Sequence, residues 1–236
     1  MNGMQGKYIL LIIALVATIV AASVFVGAAR AQTSGPQFLL TWHASNSYVP
    51  PGYAGRILAD QESQITASLE VIANGKPLNL SGETIYWYQN QNLMGGGIGA
   101  QSFTFPPYGE APNTVDLEIQ LPDYPGGLLI HDIEIPVVKA QAVIAAPYPS
   151  GNFSGIPATV TAEPYFFATT STSPLSFSWS VNGQTVTSAE NPQSLQISLP
   201  QSTPAGFAVA VNLTIQDSND GATAVGTANI TYQPKP

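Results

Sequence analysis

From residue 37 onward the chain alternates. Leu175, Phe177, Trp179 and Val181 take turns with Ser176, Ser178 and Ser180, and Phe207, Val209, Val211, Leu213 and Ile215 fill every second position of 207–215. A period of two sends successive side chains to opposite faces, so each such stretch predicts a half-buried β-strand. "TIYWYQ" (84–89), "LEIQ" (117–120) and "IEI" (133–135) alternate in the same way. Turn formers stand between the stretches: Asn182-Gly183, "SNDG" (218–221) and "YPGG" (124–127). The first of these is a strong signal for a two-residue hairpin. No segment after residue 32 has a helical period.

The predicted strands come twice, in one order. Glu70 in "ITASLEV" matches Glu163 in "ATVTAEP", 93 residues on, and Trp87 matches Trp179, 92 residues on. "QSFTF" (101–105) matches "QSLQI" (193–197) at 92, "LEIQ" matches "LTIQ" (213–216) at 96, and "IEI" matches "ANI" (228–230) at 95. Five segments in register, drifting only at loops, mark a tandem repeat of one unit. Each unit has about seven short strands per hundred residues and a Trp on a central strand, which predicts an antiparallel β-sandwich. The fold class is therefore all-β: two tandem antiparallel immunoglobulin-like β-sandwiches, at 37–139 and 140–236, after an N-terminal transmembrane or signal helix at 1–32. Trp87 and Trp179 are expected to fill the two cores.

The strand pattern "FSWSVNG" (177–183), the strand spacing and the closing hairpins resemble the immunoglobulin-like superfamily, and within it the PKD-like domains of prokaryotic surface proteins. The resemblance covers 37–236. It implies adhesion, spacing or ligand display, and it implies no particular ligand.

The leader changes where such domains are expected to work. Tyr8 to Ala29 is 22 residues without a charge. As a helix it rises about 33 Å, enough for a bilayer core. Ala29-Arg30-Ala31 is also a small-x-small pattern that a signal peptidase cuts, here after Ala31. Uncleaved, the segment anchors the chain in the cell membrane with the N-terminus inside; cleaved, it releases a secreted protein. Both readings put the domains outside the cytoplasm. Gly6-Lys7 offers a weaker, pilin-like alternative that lacks the Glu expected early in a mature pilin.

Composition narrows the partners. Charged residues make up 8% of the chain, with 20 Pro and 21 Gly. The net charge is −8; without Lys7 and Arg30, four basic residues face 14 acidic ones, about −10. Phosphate backbones need Lys and Arg, so nucleic acid is not an expected partner. The chain has no Cys, which excludes disulfides, thiolate catalysis and Cys-based metal sites.

Candidate chemistry is sparse. With Trp87 inward, alternation turns Tyr86 and Tyr88 outward, where the second unit has Ser178 and Ser180. Two outward tyrosines form either a stacking face for a glycan or partner protein, or a cross-strand pair that supports the sheet. Tyr48, Tyr53 and Tyr108 lie in Pro-rich loops expected at the domain junction. "NQNLMGGGIGAQ" (90–101) is expected to be a flexible hairpin connection, and "DSNDG" (217–221) an Asx-rich turn rather than a calcium motif. Asp60/Glu62, Asp116/Glu118 and Asp132/Glu134 read as solvated strand faces. His43 and His131 make no zinc site without helpers. No nucleophile motif occurs, so the reading is of a non-enzyme without a cofactor, meeting the membrane through its leader and an envelope protein or glycan through its domains. Asn79, Asn152, Asn212 and Asn229 begin Asn-x-Ser/Thr sequons.

Overall fold

A computed structural model describes residues 35–109, 111, 113–187 and 191–234. The expected leader at 1–32 lies outside the described residues, among which no helix is long and apolar enough to cross a membrane.

The first domain runs through β1 (Gln37–Ala44), β2 (Ile65–Ala73), β3 (Lys76–Pro77), β4 (Thr84–Gln89), β5 (Asn92–Ile98), β6 (Ser102–Phe105), β7 (Asn113–Leu121) and β8 (Leu129–Val137). β2 pairs with β1 on one side and with β3 and β6 on the other. The second sheet has the order β5-β4-β7-β8. After β1 the chain makes a long excursion and then crosses to that sheet, where Ala59 bridges Val137 in parallel. The second domain repeats the plan with β9 (Gln141–Ala145), β10 (Asn152–Phe153), β11 (Ala158–Tyr165), β12 (Leu175–Val181), β13 (Gln184–Thr185), β14 (Ser194–Ile197), β15 (Phe207–Asp217) and β16 (Thr223–Tyr232). Its sheets are β14-β11-β9 and β10-β16-β15-β12-β13, with β10 again parallel to β16. A first strand shared between two antiparallel sheets, and a Trp on the third main strand, make each domain an immunoglobulin-like sandwich.

Alternation explains the cores. Ile85, Trp87, Val115, Leu117, Ile119 and Ile135 of one sheet meet Ile65, Ala67, Leu69 and Val71 of the other, all buried. The second core is built the same way on Trp179, Val209, Val211, Leu213 and Ile215. Each Val, Leu or Ile among these contributes about 1.5–3 kcal/mol when it leaves water. Both indoles make the same bond thirteen residues downstream: Trp87 Nε1 donates to the Ala100 carbonyl (2.8 Å) and Trp179 Nε1 to that of Pro192 (2.9 Å).

Backbone partners align the copies residue by residue. Leu69 N–H donates to Gln101, and Ala162 N–H to Gln193. Asn90 and Asn182 each hold the strand beside them: their oxygens accept from Asp116 N and Ala210 N. Trp87 pairs with Ile119, and Trp179 with Leu213. The seventh strands therefore match at an offset of 94, two residues short of the "LEIQ"/"LTIQ" match. A two-residue slip keeps every side chain on its face, so alternation alone cannot detect it.

The glycine stretch also differs from expectation. It is no flexible connection: Asn92–Ile98 is the edge strand β5, reached through a two-residue turn at Asn90 (φ 48°) and Gln91 (φ 67°). Two of its three glycines are clamped, one on each face. A Cβ on Gly95 would strike the Phe103 ring, and one on Gly96 (φ 150°) would strike the Ile85 carbonyl and the Tyr86 ring.

Candidate functional site

Two regions gather the residues singled out above: the outward face of the first domain's β5-β4-β7-β8 sheet, and the junction between the domains.

On the outward face, Tyr86 and Tyr88 are half-buried, while Trp87 between them is fully buried. Tyr86 pairs with Gly96 and Gln120, and Tyr88 with Leu93 and Glu118. A bulge between Trp87 and Tyr88 absorbs Met94 and keeps Leu93, Gly96 and Ile98 on the tyrosine side. Because Gly96 has no side chain, the Tyr86 ring can lie over it. The face carries more exposed apolar surface than its strands need. Leu93 is 57% exposed, Ile98 75% and Ile130 49%. Acids border it: Glu118 pairs with Asp132, and Asp116 with Glu134, across β7 and β8. Gln120 Nε2 donates to Glu118 Oε1 at 2.7 Å. Sequence alternation places Tyr86 and Tyr88 here; it does not single out Leu93, Ile98 and Ile130, because β5 carries a bulge and three glycines that hide its period.

The junction is built on the loop after β1. Tyr48 forms an antiparallel bridge with Phe167 of the second domain: Tyr48 N–H donates to Phe167 O (2.8 Å) and Phe166 N–H to Tyr48 O (2.6 Å). The Tyr53 ring meets Tyr165 and Phe166 edge-on, with centroids at 5.6 and 6.1 Å. Tyr165 donates its hydroxyl to Glu163 at 3.0 Å. Tyr108 is 56% exposed. Its main chain is held within its own domain: turned to match its neighbours, the buried Gln89 carboxamide accepts from Tyr108 N (2.6 Å) and donates to Pro106 O (3.2 Å).

A cavity of about 310 Å³ opens at the same junction, lined by Asp60, Glu62, Lys139, Ala140, Ala222 and Thr223 among others. Asp60 departs from the solvated reading: it is 3% exposed, in a turn, and its oxygen accepts from Glu62 N and Ser63 Oγ. Burial lifts its carboxyl above the ordinary 3.8, opposed by those hydrogen bonds and reinforced by Asp220 across the junction. "DSNDG" forms Asx turns, with Asp217 accepting from Asn219 N and Asp220 from Ala222 N. His43 is exposed, and His131 stacks on Phe38 at 5.0 Å. Among the described residues no three His, Cys, Asp or Glu side chains come together as a metal site.

Comparison with family models and with curated proteins found no match. Among solved structures the chain is similar to fibronectin(III)-like modules of Clostridium thermocellum CbhA, at 14% identity over 80% of this chain and 94% of that one, with a TM-score of 0.29. It is also similar to the three N-terminal domains of the bacteriophage RB49 outer capsid protein Hoc, at 14% identity, 83% and 59% coverage and a TM-score of 0.36. The Yersinia pseudotuberculosis adhesin InvE matches at 13% identity, 87% and 61% coverage and a TM-score of 0.29. Likeness this distant says nothing of a shared ligand, and the immunoglobulin-like assignment rests on the strand order and the paired Trp described above.

Proposed function

We propose that the chain is an extracytoplasmic structural or adhesive protein of the cell envelope, tethered or exported by its leader, whose first domain meets a partner through the outward face of β5-β4-β7-β8. One observation carries this reading. At matched positions the two copies differ: Tyr86 and Tyr88 stand where the second domain has Ser178 and Ser180. Together with exposed Leu93, Ile98 and Ile130 they form an apolar, aromatic patch, which sandwich stability does not require. The acids at its margin favour an envelope protein with a basic rim.

A second reading is a carbohydrate-binding module. Two tyrosines on one face, beside the hydrogen-bonding pair Gln120 and Glu118, suit a sugar stacked on rings and held at its hydroxyls.

The test is site-specific photo-crosslinking of the chain in its native envelope. A photoreactive side chain at position 86 should capture a partner, and one at 178, its counterpart, should not. Equal silence at both positions would discard the face as a site. Binding on a glycan array, lost in a Tyr86→Ala/Tyr88→Ala chain, would decide for the second reading.

A further inference from the structure

The two copies of this sheet keep their outward faces in water by different means. Backbone pairing matches Asp116 with Ala210, Glu118 with Asn212, Asp132 with Thr227 and Glu134 with Asn229. Four carboxylates on the first domain thus have no charged counterpart on the second. The rest of the second face is likewise uncharged and includes Ser176, Ser178, Ser180, Thr214, Gln216, Thr223 and Val225, the last 64% exposed. A broad uncharged sheet face, bearing an exposed Val and backed by a strongly apolar core, has little to keep it from meeting another such face.

Three of the four sequons lie on that face. Asn212 and Thr214 are two residues apart on β15, and Asn229 and Thr231 on β16, so in each pair both side chains point outward with the alternation. The third, Asn152-Phe153-Ser154, begins on β10, where Asn152 is exposed, Phe153 is buried and Asn152 pairs with Thr231. Asn229 is exposed, and Asn212 is half-buried with its amide on Ser180 Oγ at 3.3 Å. The asparagines stand on three neighbouring strands, β15, β16 and β10, and two of them replace acids of the first domain.

We propose that Asn152, Asn212 and Asn229 carry N-linked glycans, and that sugar solvates this face as carboxylates solvate its twin. The inference rests on the extracytoplasmic reading above. The donor is a lipid-linked sugar pyrophosphate on the export side of the membrane. The Asn carboxamide nitrogen attacks the anomeric carbon; an N–C bond forms, the C–O bond to phosphate breaks, the nitrogen gives up one proton and the lipid pyrophosphate leaves. The hydroxyl two residues on is the recognition element. Transfer to the chain as it emerges, before its strands pair, makes the position of Asn212 and Asn229 within strands no obstacle.

The experiment uses the full chain with its own leader, made in a host whose export route N-glycosylates. Externally added protease on intact cells reports export. Enzymatic glycan release in ¹⁸O-water, followed by peptide mass spectrometry, marks each occupied Asn as labelled Asp. The expected result is label at 152, 212 and 229, lost singly in Asn152→Gln, Asn212→Gln and Asn229→Gln. An exported chain unlabelled at all three would overturn the glycan inference and leave the extracytoplasmic reading standing. A chain that stays inside would overturn both.

Discussion

Replacing Trp179 by Phe probes the feature on which both cores are built. The indole is 2% exposed, and its N–H is donated to the Pro192 carbonyl at 2.9 Å. Phe leaves that carbonyl without its partner, a loss of about 1–3 kcal/mol. It also shortens the buried side chain by two carbons besides the nitrogen, worth about 1–2 kcal/mol. The second domain should thus lose roughly 2–5 kcal/mol, a large share of the 5–15 kcal/mol typical of a whole domain. Urea unfolding of the full chain measures this directly. In Trp179→Phe the remaining indoles, Trp42 and Trp87, both belong to the first domain. Their fluorescence should keep the wild-type midpoint, while far-ultraviolet dichroism gains an earlier transition. Trp87→Phe should instead lower the first domain's transition, seen also by Trp42, at similar or greater cost, because Trp87 also stacks on Phe103 at 6.1 Å, where the second copy has Leu195. A loss below about 1 kcal/mol in both variants would mean that the shared indole–carbonyl bond does not hold the sandwiches together.

Other outcomes follow from single contacts. Gly96→Ala places a methyl against the Ile85 carbonyl and the Tyr86 ring at φ 150°, and should cost the first domain about 1–3 kcal/mol in thermal unfolding; a neutral effect would contradict the clamped strand. Asp60 has its folded carboxyl raised, so the folded state holds its proton more firmly than the unfolded one. Its contribution is full below pH 3.8 and fades as pH climbs through the raised value. Asp60→Asn keeps an acceptor for Ser63 and should flatten the stability–pH curve over that range, whereas an unchanged slope would remove Asp60 as its source. Tyr53→Ser deletes the edge contacts with Tyr165 and Phe166 and should broaden the inter-domain distances seen by small-angle scattering; an unchanged distribution would leave the junction to the Tyr48–Phe167 bridge alone.

The fold was legible because burial on one face of a sheet leaves a period of two in the residues, and because duplication wrote that period twice. Register was less legible. "LEIQ" and "LTIQ" share letters and faces, yet the Asn90 and Asn182 bonds set them two residues apart. β5 was hidden for a different reason: glycines have no face to alternate, and the Asn90-Gln91 turn lacks the Gly that marks Asn182-Gly183. The strand crossing at Ala59 is a single bridge, too short for any pattern. At the candidate site, alternation pointed Tyr86 and Tyr88 outward, whereas the exposure of Leu93 and Ile98 depended on a bulge that only backbone pairing reveals. Asp60 reads as a surface acid in sequence, yet it is buried in a turn that shares a cavity with the other domain's hairpin, a placement no local pattern encodes.

The parallel pairing near the ends of each domain has a mechanical consequence. A chain tethered at one end and gripped at the other pulls β10 and β16 in opposite directions along their length, so their bonds must slide and fail together rather than break in succession. In the second domain two such bonds lie across that path: Thr231 N–H to Gly151 O and Gln233 N–H to Phe153 O, each 2.8 Å. In the first domain the matching contact is Val138 N–H to Ala59 O at 2.9 Å. Stretched from its ends, the molecule should therefore yield first in the N-terminal domain. Its β1 would peel away, and the 45–58 excursion would lengthen the chain once the Tyr48–Phe167 bridge parts, so that the first domain gives under load while the second keeps its shape.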